Sequence, residues 1–110
     1  MLRPRWTFWL LFFLAAPAFA AELPQGISAF LDTHCVECHD AETKKGNLDL
    51  TALTFDLQDH KAYTQWVKVH DRVSDGEMPP KKKPQPKAAE SGTFLSALAK
   101  PIIAADRTRQ

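Results

Sequence analysis

The sequence predicts a small all-α domain of about three helices joined by long irregular loops, on three observations. Apolar residues recur at spacings of three and four in separate stretches of the 110-residue chain, which is the signature of helices with one buried face. No strand–helix alternation is present. Prolines crowd the segment before the last helical stretch and leave it no regular structure.

The first twenty residues, MLRPRWTFWLLFFLAAPAFA, read as a signal peptide rather than part of the fold. Arg3 and Arg5 make a positive start, an apolar run spans Trp6 to Ala16, Pro17 breaks it, and Ala18-Phe19-Ala20 presents small residues for cleavage. The run is short for a permanent anchor, which takes about 20 residues, although an uncleaved anchor is the rival reading. The mature chain is expected to begin at Ala21, to be exported to the periplasm or beyond, and to have no stable membrane insertion.

Removing those twenty residues leaves 90, and subtracting two arginines from the 14 basic residues leaves twelve against 13 acidic, a net charge near −1. A nucleic-acid partner would want a clearly basic face, so that class is set aside. A chain of this size buries a marginal core and usually needs a staple. A disulfide between its 2 cysteines, Cys35 and Cys38, closes too small a loop to constrain much of the unfolded chain.

The first helix carries Ile27, Phe30 and Leu31 on one stripe that Cys35 and Cys38 continue, with Pro24 and Gly26 in its lead-in. Residues 40–60 are expected to form a compact loop, with a turn at Gly46-Asn47, Leu48 and Leu50 tucked inward, and one helical turn near Ala52. From Lys61, the residues Tyr63, Trp66, Val67, His70 and Val73 mark the clearest helix, capped by Asp59 and ended by Gly76. EMPPKKKPQP follows, stiffened by Pro79, Pro80, Pro84 and Pro86. A last helix from about Lys87 turns Phe94, Leu95 and Leu98 inward, and Pro101 is expected to end or kink it. Residues 101–110 then read as a C-terminal tail or linker, helical at first and without a closing cap. No internal repeats are present.

The chemistry concentrates in Cys35-Val36-Glu37-Cys38-His39, the attachment pattern of c-type haem. Two cysteines three apart on a turning chain present both sulfurs to one side, where they can bond two vinyl groups on one porphyrin edge. His39 follows at once and can coordinate the iron. The opposite face then needs a ligand, and Met78 is the candidate: its thioether favours ferrous iron, and Pro79 and Pro80 limit the freedom its loop loses on binding. Other readings remain open. A redox dithiol would want a βαβ context. A zinc site would want a second ligand pair, which His34, His60 and His70 do not form, and His34 and His60 read as surface residues. His70 could replace Met78, or the sixth position could stay open and reactive. Trp66 and Tyr63 read first as core, with a hydrogen bond from one of them to a haem propionate as the sharper alternative. Leu48, Leu50 and Phe94 suit the wall of a haem crevice. Lys81-Lys82-Lys83 suits a solvated loop, or a salt-sensitive docking surface for an acidic redox partner.

FLDTHCVECHDAETKKGNLDL followed by WVKVHDRVSDGEMPP resembles the planctomycete-type cytochrome c domain, a relative of the class I cytochromes c. The likeness covers roughly residues 27 to 100 and rests on C-V-E-C-H, G-N-L-D-L, Trp66 with Lys68, and Gly76-Glu77-Met78-Pro79-Pro80. It implies a class I cytochrome c-like fold and one covalent haem c, with Cys35 and Cys38 as thioether anchors, His39 as proximal ligand and Met78 as distal ligand. It further implies that such a domain stands at the front of a longer exported protein, into which residues 101–110 would lead. Pro101 and the lysine triplet depart from the pattern. The chain is thus expected to hold residues 1–20 as signal, 21–100 as a mono-haem domain carrying one electron by Fe(III)/Fe(II) cycling, and 101–110 as tail. It would need no catalytic residues of its own, and would meet redox partner proteins and the haem-attachment machinery. The alternative is an electron-inlet module of a larger haem-containing oxidoreductase.

If the haem forms most of the core, the haem-free mature chain is poorly ordered. Calorimetry of that chain should then show no cooperative melt, and a sharp high-temperature transition would refute the expectation.

Overall fold

The computed structural model describes residues 2, 12 and 23–110. The expected signal peptide lies outside them, but for Leu2 and Phe12. The described residues are all-helical: α1 over Gln25–His34, a single 3₁₀ turn over Lys45–Asn47, α2 over His60–Ser74 and α3 over Ala88–Arg109. Among them there is no strand, and no helix is long and apolar enough to cross a membrane.

Helix α1 starts at Pro24, whose carbonyl accepts from the amides of Ile27 and Ser28. Ile27, Phe30 and Leu31 are its buried face. It ends at His34, so Cys35 is its cap and Cys38 falls in the turn beyond rather than on the helical stripe. Helix α2 opens as expected, with Asp59 Oδ2 accepting from the Ala62 amide at 3.3 Å. Its close is a Schellman arrangement: Gly76, at φ 73, donates to Val73 O at 3.1 Å, and Glu77 donates to Arg72 O at 2.9 Å. The buried face of α2 is Ala62, Trp66, Val69 and Val73. It is turned from the expected stripe, leaving Tyr63, Val67 and His70 only half-buried at its edge.

The expected helical turn near Ala52 is instead a hydrogen-bond turn, and the 3₁₀ turn sits earlier, over Lys45–Asn47. Gly46 (φ 64) and Asn47 (φ 58) take the left-handed conformation that the Gly-Asn pair predicts.

Helix α3 passes through Pro101 and continues to Arg109, so it does not end at the proline, one of the two outcomes expected there. Pro101 has no N–H to give to the carbonyl one turn back, a loss that costs a helix interior about 3 kcal/mol. The helix persists because it is held on both sides of the proline, by Phe94 and Leu98 before it and Ala105 after it, all buried. Arg109 adds a further tie, donating to Leu57 O and stacking its guanidinium 3.9 Å from the centre of the Tyr63 ring.

Helix α3 packs against both α1 and α2, which share no such interface with each other. Phe30 of α1 stacks on Phe94 of α3 with centroids 4.1 Å apart. Trp66, fully buried, meets the edge of Phe55 at 5.3 Å and donates from Nε1 to Thr54 O at 2.9 Å. Its indole N–H is therefore committed to the backbone, which corrects the suggestion that Trp66 serves a propionate. Leu50 and Leu57 bring the long loop into the same cluster.

At the α1–α3 junction His34 Nε2 donates to Glu90 Oε2 at 3.2 Å, and Glu90 Oε1 accepts from the Lys87 amide at 3.3 Å. His34 is thus bonded and mostly covered, not an ordinary surface residue. These bonds, the His34 one first, hold the Glu90 carboxyl below its ordinary value of 4.5.

Trp66→Ala should destabilise the domain by about 3–5 kcal/mol, read by denaturant unfolding, while Ile103→Ala at an exposed position should stay within about 0.5 kcal/mol. Glu90, with its folded value depressed, contributes stability that is full above pH 4.5 and lost as pH falls below it. Melting points between about pH 3 and 6 should therefore drop less steeply in Glu90→Gln than in wild type.

Candidate functional site

The C-x-x-C-H segment is a single turn hung from the end of α1. The Cys35 carbonyl accepts from the Cys38 amide at 3.3 Å and the His39 amide at 3.1 Å. The next carbonyls are taken by the following loop: Lys45 N–H donates to Cys38 O at 2.9 Å and Leu50 N–H to His39 O at 2.8 Å. Asp40 Oδ1 receives the amides of Thr43 at 2.7 Å and Glu42 at 3.1 Å, which holds its carboxyl below the usual range, the Thr43 bond contributing most. The segment is thereby fixed from the residue before the motif's end to the core leucine that follows it.

Both cysteines are half-buried free thiols. Burial, and secondarily the neighbouring Cys38, push the Cys35 thiol up to about 11. A nucleophilic or redox dithiol needs the opposite, a depressed thiol, so the dithiol reading loses ground. Among the described residues no three His, Cys, Asp or Glu side chains gather in a form suited to a metal ion, and a closed zinc site has no ligand set there.

His39 is half-buried, and its Nδ1 is fully buried with no hydrogen-bond partner. An unpaired buried ring nitrogen is costly unless something else engages the ring. The contrast with the neighbouring histidines is informative. His34 is bonded to Glu90 and His70 Nδ1 to Asp71 Oδ1 at 3.1 Å, and His60 is exposed. His39 is the half-buried imidazole left uncommitted among the described residues, and it stands directly after two half-buried thiols. Cys35, Cys38 and His39 therefore fit a covalently held haem, the first two as sulfur anchors and the third as a nitrogen ligand.

Met78 follows the Schellman close of α2. Its amide donates to Arg72 O at 3.1 Å, beside the Glu77 amide on the same acceptor. Arg72 also pairs through its guanidinium with Glu77 Oε2. The Met78 side chain stays 37% exposed, while the next residue, Pro79, is buried. The loop then returns toward the motif, where Lys83 Nζ lies 3.9 Å from Glu37 Oε1, between the two cysteines. The structure thus links the Met78 loop to the C-x-x-C-H turn through Lys83. It does not bring the His70 ring into the helix core.

Three contributors escape a reading of the sequence by pattern: Arg72, Glu37 and Gln85. The first two are charged surface residues, indistinguishable in composition from their neighbours. Gln85 carries a signal, since it sits among prolines whose carbonyls outnumber the local amide donors.

No curated protein and no solved structure matches the chain. Residues 35–82 match the family model described as Planctomycete cytochrome C. That span begins at Cys35 and closes on Lys82, behind Met78. The turn that presents Cys35, Cys38 and His39 and the loop bearing Met78 thus both lie within the stretch that is similar to this family.

Proposed function

We propose that the chain is an exported, mono-haem c-type cytochrome domain whose task is one-electron transfer. The similarity of residues 35–82 to that family supports a haem-binding electron carrier at the coarse level. The uncommitted His39 ring, on a backbone whose Cys35, Cys38 and His39 carbonyls are all paired and next to two half-buried thiols, is the observation that carries the finer reading. When bound, the haem supplies an Fe(III)/Fe(II) couple whose potential depends on its axial ligands and surroundings.

The chain's own residues do the rest. Cys35 and Cys38 would hold the group through their sulfurs. The turn at residues 35–39 orients the imidazole that would be its nitrogen ligand, and the amide of Met78, tied to Arg72 O, holds the backbone of the thioether that would be its second ligand. Leu50 and Phe94, both buried, and Leu48 beside them exclude water from the neighbourhood of the motif. If His39 and Met78 both held the iron, no open site for substrate would remain, and the domain would carry no catalysis of its own.

Residues 21–100 would form this unit, after removal of a signal peptide at 1–20. Its partners would be the haem-attachment machinery and redox proteins, not nucleic acid. Lys81 and Lys82, beside the Glu37-paired Lys83, offer an acidic redox partner positive charge close to the motif.

The test is the visible spectrum of the mature chain, matured with haem in a periplasm, for wild type and Met78→Ala in both oxidation states. A covalent low-spin haem with a long-wavelength sulfur–iron band lost in Met78→Ala is the expected result. A covalent haem indifferent to Met78 would move the assignment to His70 or to an open iron, and absence of covalent haem would overturn the function.

A further inference from the structure

The loop between α2 and α3 is short of hydrogen-bond donors. Pro79, Pro80, Pro84 and Pro86 supply carbonyls and no N–H. Among residues 79–86 the backbone closes one hydrogen bond on itself, Lys83 N–H to Pro80 O at 2.8 Å. The carboxamide of Gln85 makes up the shortage. Its Nε2 lies 3.2 Å from Pro79 O, 2.9 Å from Pro80 O and 3.1 Å from Lys83 O. All three neighbours are acceptors, so the NH₂ end of the amide is the end that faces them.

We infer that Gln85 is the positioning residue for Met78, its side-chain amide replacing the donors that the prolines withhold and fixing the loop from the C-terminal side of the sulfur-bearing residue. The inference rests on the reading of Met78 as the distal ligand. From the N-terminal side the Met78 amide is tied to Arg72 O at 3.1 Å. From the other side Gln85 grips the carbonyl of Pro79, the very next residue, which is itself buried. Met78 is therefore held at both flanks of its backbone, while its side chain is 37% exposed. A ligand on a preorganised segment gives up less freedom when it binds. Releasing one flank lets the sulfur leave more readily, and an external ligand then enters more easily.

The experiment uses the haem-loaded mature chain in the ferric state, titrated with imidazole, which competes for the sixth position. Wild type, Met78→Ala, Gln85→Ala, Gln85→Glu and the double variant Met78→Ala/Gln85→Ala are compared by the sulfur–iron band and by imidazole affinity. Gln85→Ala should keep covalent haem and the band, and should bind imidazole about tenfold more tightly, as the loss of one to two modest hydrogen bonds implies. Gln85→Glu should behave alike, because a carboxylate has the length but no donor. In the Met78→Ala background the same Gln85→Ala change should leave imidazole affinity unmoved. Unchanged affinity in both single Gln85 variants overturns the inference alone, as does an equal tightening without Met78, which would mark a general loosening of the loop. A wild-type spectrum without the sulfur–iron band overturns the ligation reading and the inference with it.

Discussion

His39 can be held in place because the carbonyls of Cys35, Cys38 and His39 itself already have partners. The Cys35 carbonyl takes two amides, and the Cys38 and His39 carbonyls each take one from the loop that follows. Those last two bonds reach from the motif to Lys45 and Leu50, across a stretch of weak periodicity. They give it a shape that its apolar pattern does not. Leu50 is drawn into the core by the same bond that satisfies His39 O. The loop is therefore anchored at a hydrogen bond and at a buried side chain one residue wide. A ring carried on such a backbone has chiefly its side-chain torsions left to lose on coordination.

The second organising element is α3. It meets α1 and α2 separately, so the C-x-x-C-H turn at the end of α1 and the Met78 loop at the end of α2 are related through it. The aromatic stack of Phe30 on Phe94 sets one side of that relation, and Arg109 on Leu57 O and Tyr63 sets the other. Lys83 with Glu37 closes the circuit at the surface. Both members of that pair are well exposed, so it marks proximity more than it adds stability.

What the sequence made legible was local. The spacing of Ile27, Phe30 and Leu31, the Asp59 cap, the Gly76 terminator and the left-handed Gly46-Asn47 turn each depend on a few neighbouring residues, and each stands as expected. The heart of the candidate site, Cys35, Cys38 and His39, was legible because the chemistry demands that spacing. What was hidden depends on distant partners. The phase of α2 is decided by the burial of Ala62 and Val69, and three of the residues read as inward, Tyr63, Val67 and His70, are left at the edge. The fate of Pro101 is decided by packing on both sides of it, which offsets a penalty that is large when the helix is considered alone. The role of Gln85 depends on three carbonyls brought together by the fold.

The burial of Trp66 has an optical consequence. The sequence has 3 tryptophans, and Trp6 and Trp9 lie in the first twenty residues, so a chain beginning at Ala21 carries Trp66 alone. That indole is sealed in the core, with its N–H given to Thr54 O on the long loop. Tryptophan emission from such a chain then has a single origin. Its colour follows whether water reaches the junction of α2 with the 50–57 segment, and its intensity reports on any absorbing porphyrin within energy-transfer range. The domain carries a built-in indicator at the centre of its fold.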